Sequence, residues 1–204
     1  MPETYTDNPM LTERFDRAFR LASEHHRRQL RKGTAIPYLS HLLGVTSLVL
    51  EMGGSETEAI GALLHDAVED GGGPAMLERI RTEFGEDVAR IVRANSDSDT
   101  EPKPPWRQRK TSYVEDIGHK RPDELRVSLA DKLHNARAIL LDYRTLGEPF
   151  WNRFRAGGGS AVRWYYRELY AAFSAREDAL GPKALPALGE LGRTIDAIDA
   201  LAAA

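Results

Sequence analysis

Apolar residues recur three and four positions apart through nearly the whole chain, and no stretch alternates apolar with polar in the manner of a strand. The pattern predicts an all-α fold, a helical bundle of about eight to ten helices. A first helix carries Leu11, Phe15, Ala18 and Ala22 on one face, with Asn8 as its cap and Pro9 at its first position. "HLLGVTSLVLEM" follows Ser40 as a second helix and stops at Gly53 and Gly54. A third begins at Ser55, where Glu58 three residues on completes a capping-box pattern, and runs on through "ALLHDAVED". "PAMLERIRTEFG" and "EDVARIVRAN" read as two short helices, and the polar, proline-rich segment from Ser96 to Trp106 as a mobile loop. Further helices are predicted at "WRQRKTSYVEDI", at the long "PDELRVSLADKLHNARAILLDYRTLG", at "SAVRWYYRELYAAFSAREDAL" and in the alanine-rich segment after Gly181 and Pro182. These elements form one domain over 1–204, with a core at about 8–146 and a helical extension at about 147–204. Only "AGGGS", from Ala156 to Ser160, resembles a flexible link.

Composition narrows the chemistry. The 204 residues are 41% apolar, enough to bury a core. There is no cysteine, so any metal must be held by nitrogen and oxygen ligands. A net charge of −3, from 28 basic and 31 acidic side chains, argues against general nucleic-acid binding. No run approaches the roughly 18 apolar residues of a membrane span, and "MPETYTDNPM" lacks the apolar core of a signal peptide. The reading is a soluble, cytoplasmic protein.

One stretch stands out against this background. His65, Asp66, Glu69 and Asp70 follow directly on apolar Ala62, Leu63 and Leu64. On a helix Glu69 falls four residues after His65 and Asp70 four after Asp66, so the pairs form neighbouring stripes whose carboxylates repel unless positive charge sits among them. A buried His–Asp pair followed by a solvated helix end would also produce this pattern. Two other segments offer the same ligand types in apolar settings: His41 opens a helix after "IPYLS", and Asp131 stands behind Val127, Leu129 and Ala130. A carboxylate so placed is costly unless paired or bound to a metal.

The order His41, His65-Asp66, Asp131 is similar to the H…HD…D pattern of HD-domain metallohydrolases. The words "RKGTAIPYLSH", "ALLHDAVED" and "LADKLHNAR" resemble, in order and spacing, segments of the RelA/SpoT-type hydrolase domain, which removes the 3′-pyrophosphate of guanosine tetra- and pentaphosphate. The likeness runs from about Leu11 to Leu146, and the chain's size resembles that of the small alarmone hydrolases, single all-helical domains. The resemblance implies that His41, His65, Asp66 and Asp131 hold one divalent ion, usually manganese. It implies that Glu69 and Asp70 orient or deprotonate the attacking water, that Arg31 and Lys32 face the nucleotide, and that Asn135 contacts the nucleoside.

This chain departs from the family pattern at three places. Leu42 stands where proline usually follows the first histidine, one extra residue separates "RK" from "PY", and Ala138 replaces a usual threonine, which leaves guanine against adenine open. Lys103, Arg107, Arg109 and Lys110 are candidates to meet a polyphosphate, whereas Trp164, Tyr165 and Tyr166 read as core aromatics. The expected activity is metal-dependent hydrolysis of the 3′-pyrophosphate of (p)ppGpp, or of an analogue such as (p)ppApp. The alternatives are an HD-type phosphomonoesterase acting on the NADPH 2′-phosphate or on deoxynucleotides, and a nucleotide-binding module without turnover. The partner expected is a small-molecule nucleotide, with no nucleic acid and no membrane.

Overall fold

A computed structural model describes residues 10–96, 104–154 and 157–203. Among the described residues there is no β-strand, only an isolated bridge between Leu30 and Pro37, and the chain is all-α as its periodicity predicts. None of the described helices is long and apolar enough to cross a membrane. The helices are α1 (Glu13–His25), α2 (Leu39–Glu51), α3 (Glu56–Leu64), α4 (Gly73–Phe84), α5 (Glu86–Asn95), α6 (Trp106–Ile117), α7 (Pro122–Leu146), α8 (Gly158–Ser174), α9 (Glu177–Leu180) and α10 (Leu185–Ala202).

Local signals account for many of the boundaries. Ser55 and Glu58 form the predicted capping box at α3, each side chain reaching the other's backbone N–H. The helix α1 starts later than its sequence suggests: Thr12 caps it by accepting from Arg14 N at 3.2 Å, and Leu11 precedes the helix. Asn8 and Pro9 lie outside the described residues, as do Lys103, Ala156 and most of the Ser96–Trp106 segment. The predicted continuous helix at "SAVRWYYRELYAAFSAREDAL" breaks into α8 and α9, because Arg176 leaves helical geometry (φ −122°) and donates to the carbonyls of Ile117, Gly118 and Lys120.

Two apolar clusters build the interior. One gathers α1, α3, α4 and α5 around Leu21, Ile60, Leu64, Ile80, Phe84 and Val92. The other joins α2 to α7, α8 and α10 around Val45, Leu133, Tyr165, Phe173 and Leu191. The helix α2 belongs to both, sending Leu42 into the first and Val45 and Val49 into the second. Apolar on nearly every side, α3 is buried along most of its length. The seam where α2, the end of α3 and the middle of α7 meet holds the polar cluster.

Candidate metal and nucleotide site

The helix α3 ends at Leu64, and the chain does not carry its acids on one continuous α-helix as their spacing suggests. His65 caps α3, a turn follows, and Val68–Gly72 forms a widened π-helical turn in which Asp70 (φ −89°, ψ 42°) and Gly71 (φ 100°) leave helical geometry. Gly71 and Gly73, with φ of 100° and 53°, permit this kink. The amide of Asp70 still donates to Asp66 O at 2.9 Å, so the two aspartates stay one turn apart. Asp70 is at the solvent-facing rim and Glu69 is half-buried.

His41, His65 and Asp66 each bring a ligand atom within 4.8 Å of the others. Asp131 reaches the same point from α7, its Oδ1 lying 3.2 Å from His41 Nε2 and 3.7 Å from His65 Nε2. Both imidazoles are 1% exposed, so bulk solvent does not reach them. His65 Nδ1 donates to Ala62 O at 2.8 Å, which leaves Nε2 as the lone-pair nitrogen of the neutral ring. That Nε2 is buried without a hydrogen bond, although Asp66 Oδ2 lies 3.0 Å away. A lone pair facing carboxylate oxygens is repulsive until positive charge occupies the space between them, and a proton or a metal cation supplies it. Burial opposes a charged His65, yet Asp66 and Asp131 raise its pKa well above the ordinary imidazole range. Burial likewise opposes ionisation of the two aspartates, but His65 beside Asp66 and Lys132 beside Asp131 hold both well below the usual carboxylate range. Two imidazoles and two carboxylates without sulfur fit a hard or borderline divalent cation.

Side chains that the sequence did not single out complete the surroundings. His134 Nδ1 lies 2.9 Å from His41 Nδ1, and burial with His41 nearby lowers its pKa to about 4, so it stays neutral and can accept from His41. This contact needs Gly44, because a Cβ there would stand 2.2 Å from the His134 ring. Tyr38 donates to Asp66 Oδ2 at 2.5 Å, and Gln29 Nε2 donates to Asp70 Oδ2 at 2.7 Å. Burial pushes the Asp70 carboxyl up, while the Gln29 N–H opposes that rise. The only sequence signal for Tyr38 and His134 is that each lies inside a word carrying the family resemblance, and Gln29 stands two residues before the first of those words.

Beside the cluster opens a cavity of about 360 Å³. Arg31, Lys32 and Asn135 line it, which joins them to the metal-type cluster: Arg31 donates to Asn135 Oδ1 at 2.9 Å, and Asn135 Nδ2 donates to Asp131 Oδ1 at 2.6 Å. Lys110 and Lys132 bring two more positive charges, and Arg153 adds a third. Tyr165 and Tyr166 are core residues, as expected, and also form a wall of the cavity with Trp106, Phe150 and Phe154. Arg107 instead packs over the Trp164 ring, and Arg109 bonds Pro104 O. Ala138 lines the cavity.

Comparison with known proteins fits this geometry. The HD domain family matches residues 18–145. The guanosine-3′,5′-bis(diphosphate) 3′-pyrophosphohydrolase of Xenopus tropicalis is 39% identical over 125 residues, which cover 60% of this chain and 67% of that protein. Its Mus musculus counterpart is 37% identical, covering 58% and 65%. This chain therefore spans about two thirds of the length of these relatives. Among solved structures, a metazoan ortholog of SpoT described as hydrolysing ppGpp superposes with a TM-score of 0.57 at 25% identity, covering 85% of this chain and 98% of that one. A Listeria monocytogenes protein superposes at 0.65 with 27% identity, covering 76% and 96%.

Proposed function

This chain belongs to the HD domain family, and on that premise we propose that it hydrolyses the 3′-pyrophosphate of (p)ppGpp, or of an analogue such as (p)ppApp, releasing pyrophosphate. The observation that carries the reading is the junction of two half-sites. A four-ligand cluster opens into a cavity lined by cations and aromatic rings, and Asn135 bonds Arg31 on one side and Asp131 on the other. A nucleotide diphosphate needs both halves. The relatives named for this activity support the same substrate class.

His41, His65, Asp66 and Asp131 would hold one divalent ion, manganese by resemblance. When bound, that ion supplies Lewis acidity, which acidifies water and neutralises phosphate charge. Arg31 and Lys32 grip the nucleotide, the guanidinium by stacking or paired donation and the ammonium as a point charge. Glu69 and Asp70 orient the attacking water and accept its proton. The water oxygen bonds to the ribose-proximal phosphorus as the bond from that phosphorus to the nucleotide 3′-oxygen breaks. That oxygen takes up a proton, leaving GDP or GTP and pyrophosphate.

The test is a panel of ppGpp, ppApp, NADPH and deoxynucleoside monophosphates with Mn²⁺, scored for pyrophosphate against orthophosphate. Pyrophosphate from the 3′-diphosphates is the expected result. Orthophosphate alone would replace this reading with the phosphomonoesterase one, and tight binding without turnover would leave a binding module.

A further inference from the structure

The stretch "HHRRQLRK" contributes more to the site than Arg31 and Lys32. We infer that Gln29 is a positioning residue that aims the Asp70 carboxylate and is itself locked by His26; this rests on the reading of Asp70 as a group that handles the water.

Hydrogen-bond polarity fixes the chain of contacts. A carboxylate only accepts, so the Gln29 side-chain NH₂ must face Asp70 Oδ2, at 2.7 Å. The amide oxygen then faces His26 Nδ1 at 2.6 Å, which makes Nδ1 the protonated nitrogen of that ring. His26 Nε2 agrees, because it is buried without a partner. A bare lone pair tolerates that better than an N–H does. The opposite amide orientation would set oxygen against carboxylate oxygen.

Packing makes this arrangement stiff. His26 is 2% exposed and stacks on Tyr38 with ring centroids 5.2 Å apart. Backbone bonds from Gln29 N to His26 O (3.0 Å) and from Tyr38 N to Gln29 O (2.9 Å) tie the segment together. Tyr38 in turn donates to Asp66. A single loop therefore holds Asp66 through Tyr38 and Asp70 through Gln29, and it also presents Arg31 to the cavity. Asp70 needs such an external hold, because its own backbone lies in the kinked turn next to Gly71. Misplacing a reacting group by about 1 Å can cost on the order of 10²-fold in rate.

The experiment combines kinetics with nitrogen NMR on the 204-residue chain. Gln29→Met keeps the length and removes the donor. It should lower kcat by about 10-fold while KM and metal content stay within about twofold. Once Asp70→Asn is in place, Gln29→Met should add almost nothing, since it acts through Asp70. Full multiplication of the two losses would overturn the inference. His26→Asn, which can still donate an N–H, should keep more activity than His26→Phe, which only stacks. Independently of any substrate, ¹⁵N shifts of the Mg²⁺-loaded protein should show His26 protonated at Nδ1 and bare at Nε2, and an Nε2–H tautomer would overturn the inference. If the wild type releases no pyrophosphate, the functional reading has failed, and the tautomer and the same mutant cycle on whichever panel substrate turns over still decide the role of Gln29.

Discussion

Arg31 and Asn135 stand 104 residues apart in the chain, and the Arg31 guanidinium donates to Asn135 Oδ1 at 2.9 Å. The same Asn135 donates to Asp131 at 2.6 Å, so a residue facing the nucleotide and a member of the metal-type cluster share one amide. Asn135→Ala should therefore act on both. Loss of an outer partner of a metal ligand costs about 10–100-fold in metal affinity, and KM for the nucleotide should rise as Arg31 loses its anchor. Arg31→Ala should raise KM more than it lowers kcat, with metal content intact. Titration calorimetry beside steady-state kinetics separates the two.

Metal content should be about one divalent ion per chain, lost on changing His41, His65, Asp66 or Asp131 to Ala. Because the ligands come from α2, the end of α3 and α7, the ion should tie these helices together. Mn²⁺ at about 100 times its Kd should stabilise the wild type by about 2.7 kcal/mol, and the Ala variants should show no such rise in Tm. Two ions per chain by elemental analysis would contradict a mononuclear site.

Glu69→Gln and Asp70→Asn keep shape and remove the base. They should retain metal and nucleotide binding while turnover falls by about 10²-fold or more. Asp66→Asn should lose metal and activity together. A Glu69→Gln/Asp70→Asn double variant with normal turnover would sink the assignment.

The extension past residue 146 should matter for the nucleotide. Arg153 packs its guanidinium against Gly33, where φ is +72° and a Cβ would lie 2.7 Å from Arg153 Nε. Lys32 Nζ sits 5.7 Å from the centre of the Phe154 ring. Arg153→Ala or Phe154→Ala should raise KM severalfold with little change in kcat. Gly33→Ala should do the same and also cost about 1–2 kcal/mol for left-handed backbone.

Lys120 offers a pH signature away from the site. Burial, with Lys132 nearby, lowers its pKa from 10.5 to about 8. Between those values the unfolded chain binds a proton that the native chain has released, so this group makes stability rise with pH. Below about pH 8 both states are protonated and the cost of the buried charge is felt in full. Compared with Lys120→Met, the wild type should gain stability as pH climbs from about 8 to 10.5. Denaturant unfolding of both proteins at several pH values checks the sign.

Sequence alone determined the all-helical architecture, the capping box at Ser55 and Glu58, and the residue types His41, His65, Asp66 and Asp131, because periodicity, capping and apolar context are local properties of the chain. It carried the third helix on through Asp70 and did not show the π-helical turn there, since apolar spacing reads the same for an α-helix and for a kinked continuation. It could not reveal that Gln29 reaches Asp70, that Tyr38 reaches Asp66, or that His134 backs His41 through the gap left by Gly44. Nor could it show that Tyr165 and Tyr166, read as core, also wall the cavity. Those relationships join residues from different helices, and only packing the two apolar clusters against α2 fixes which polar side chains meet at their seam.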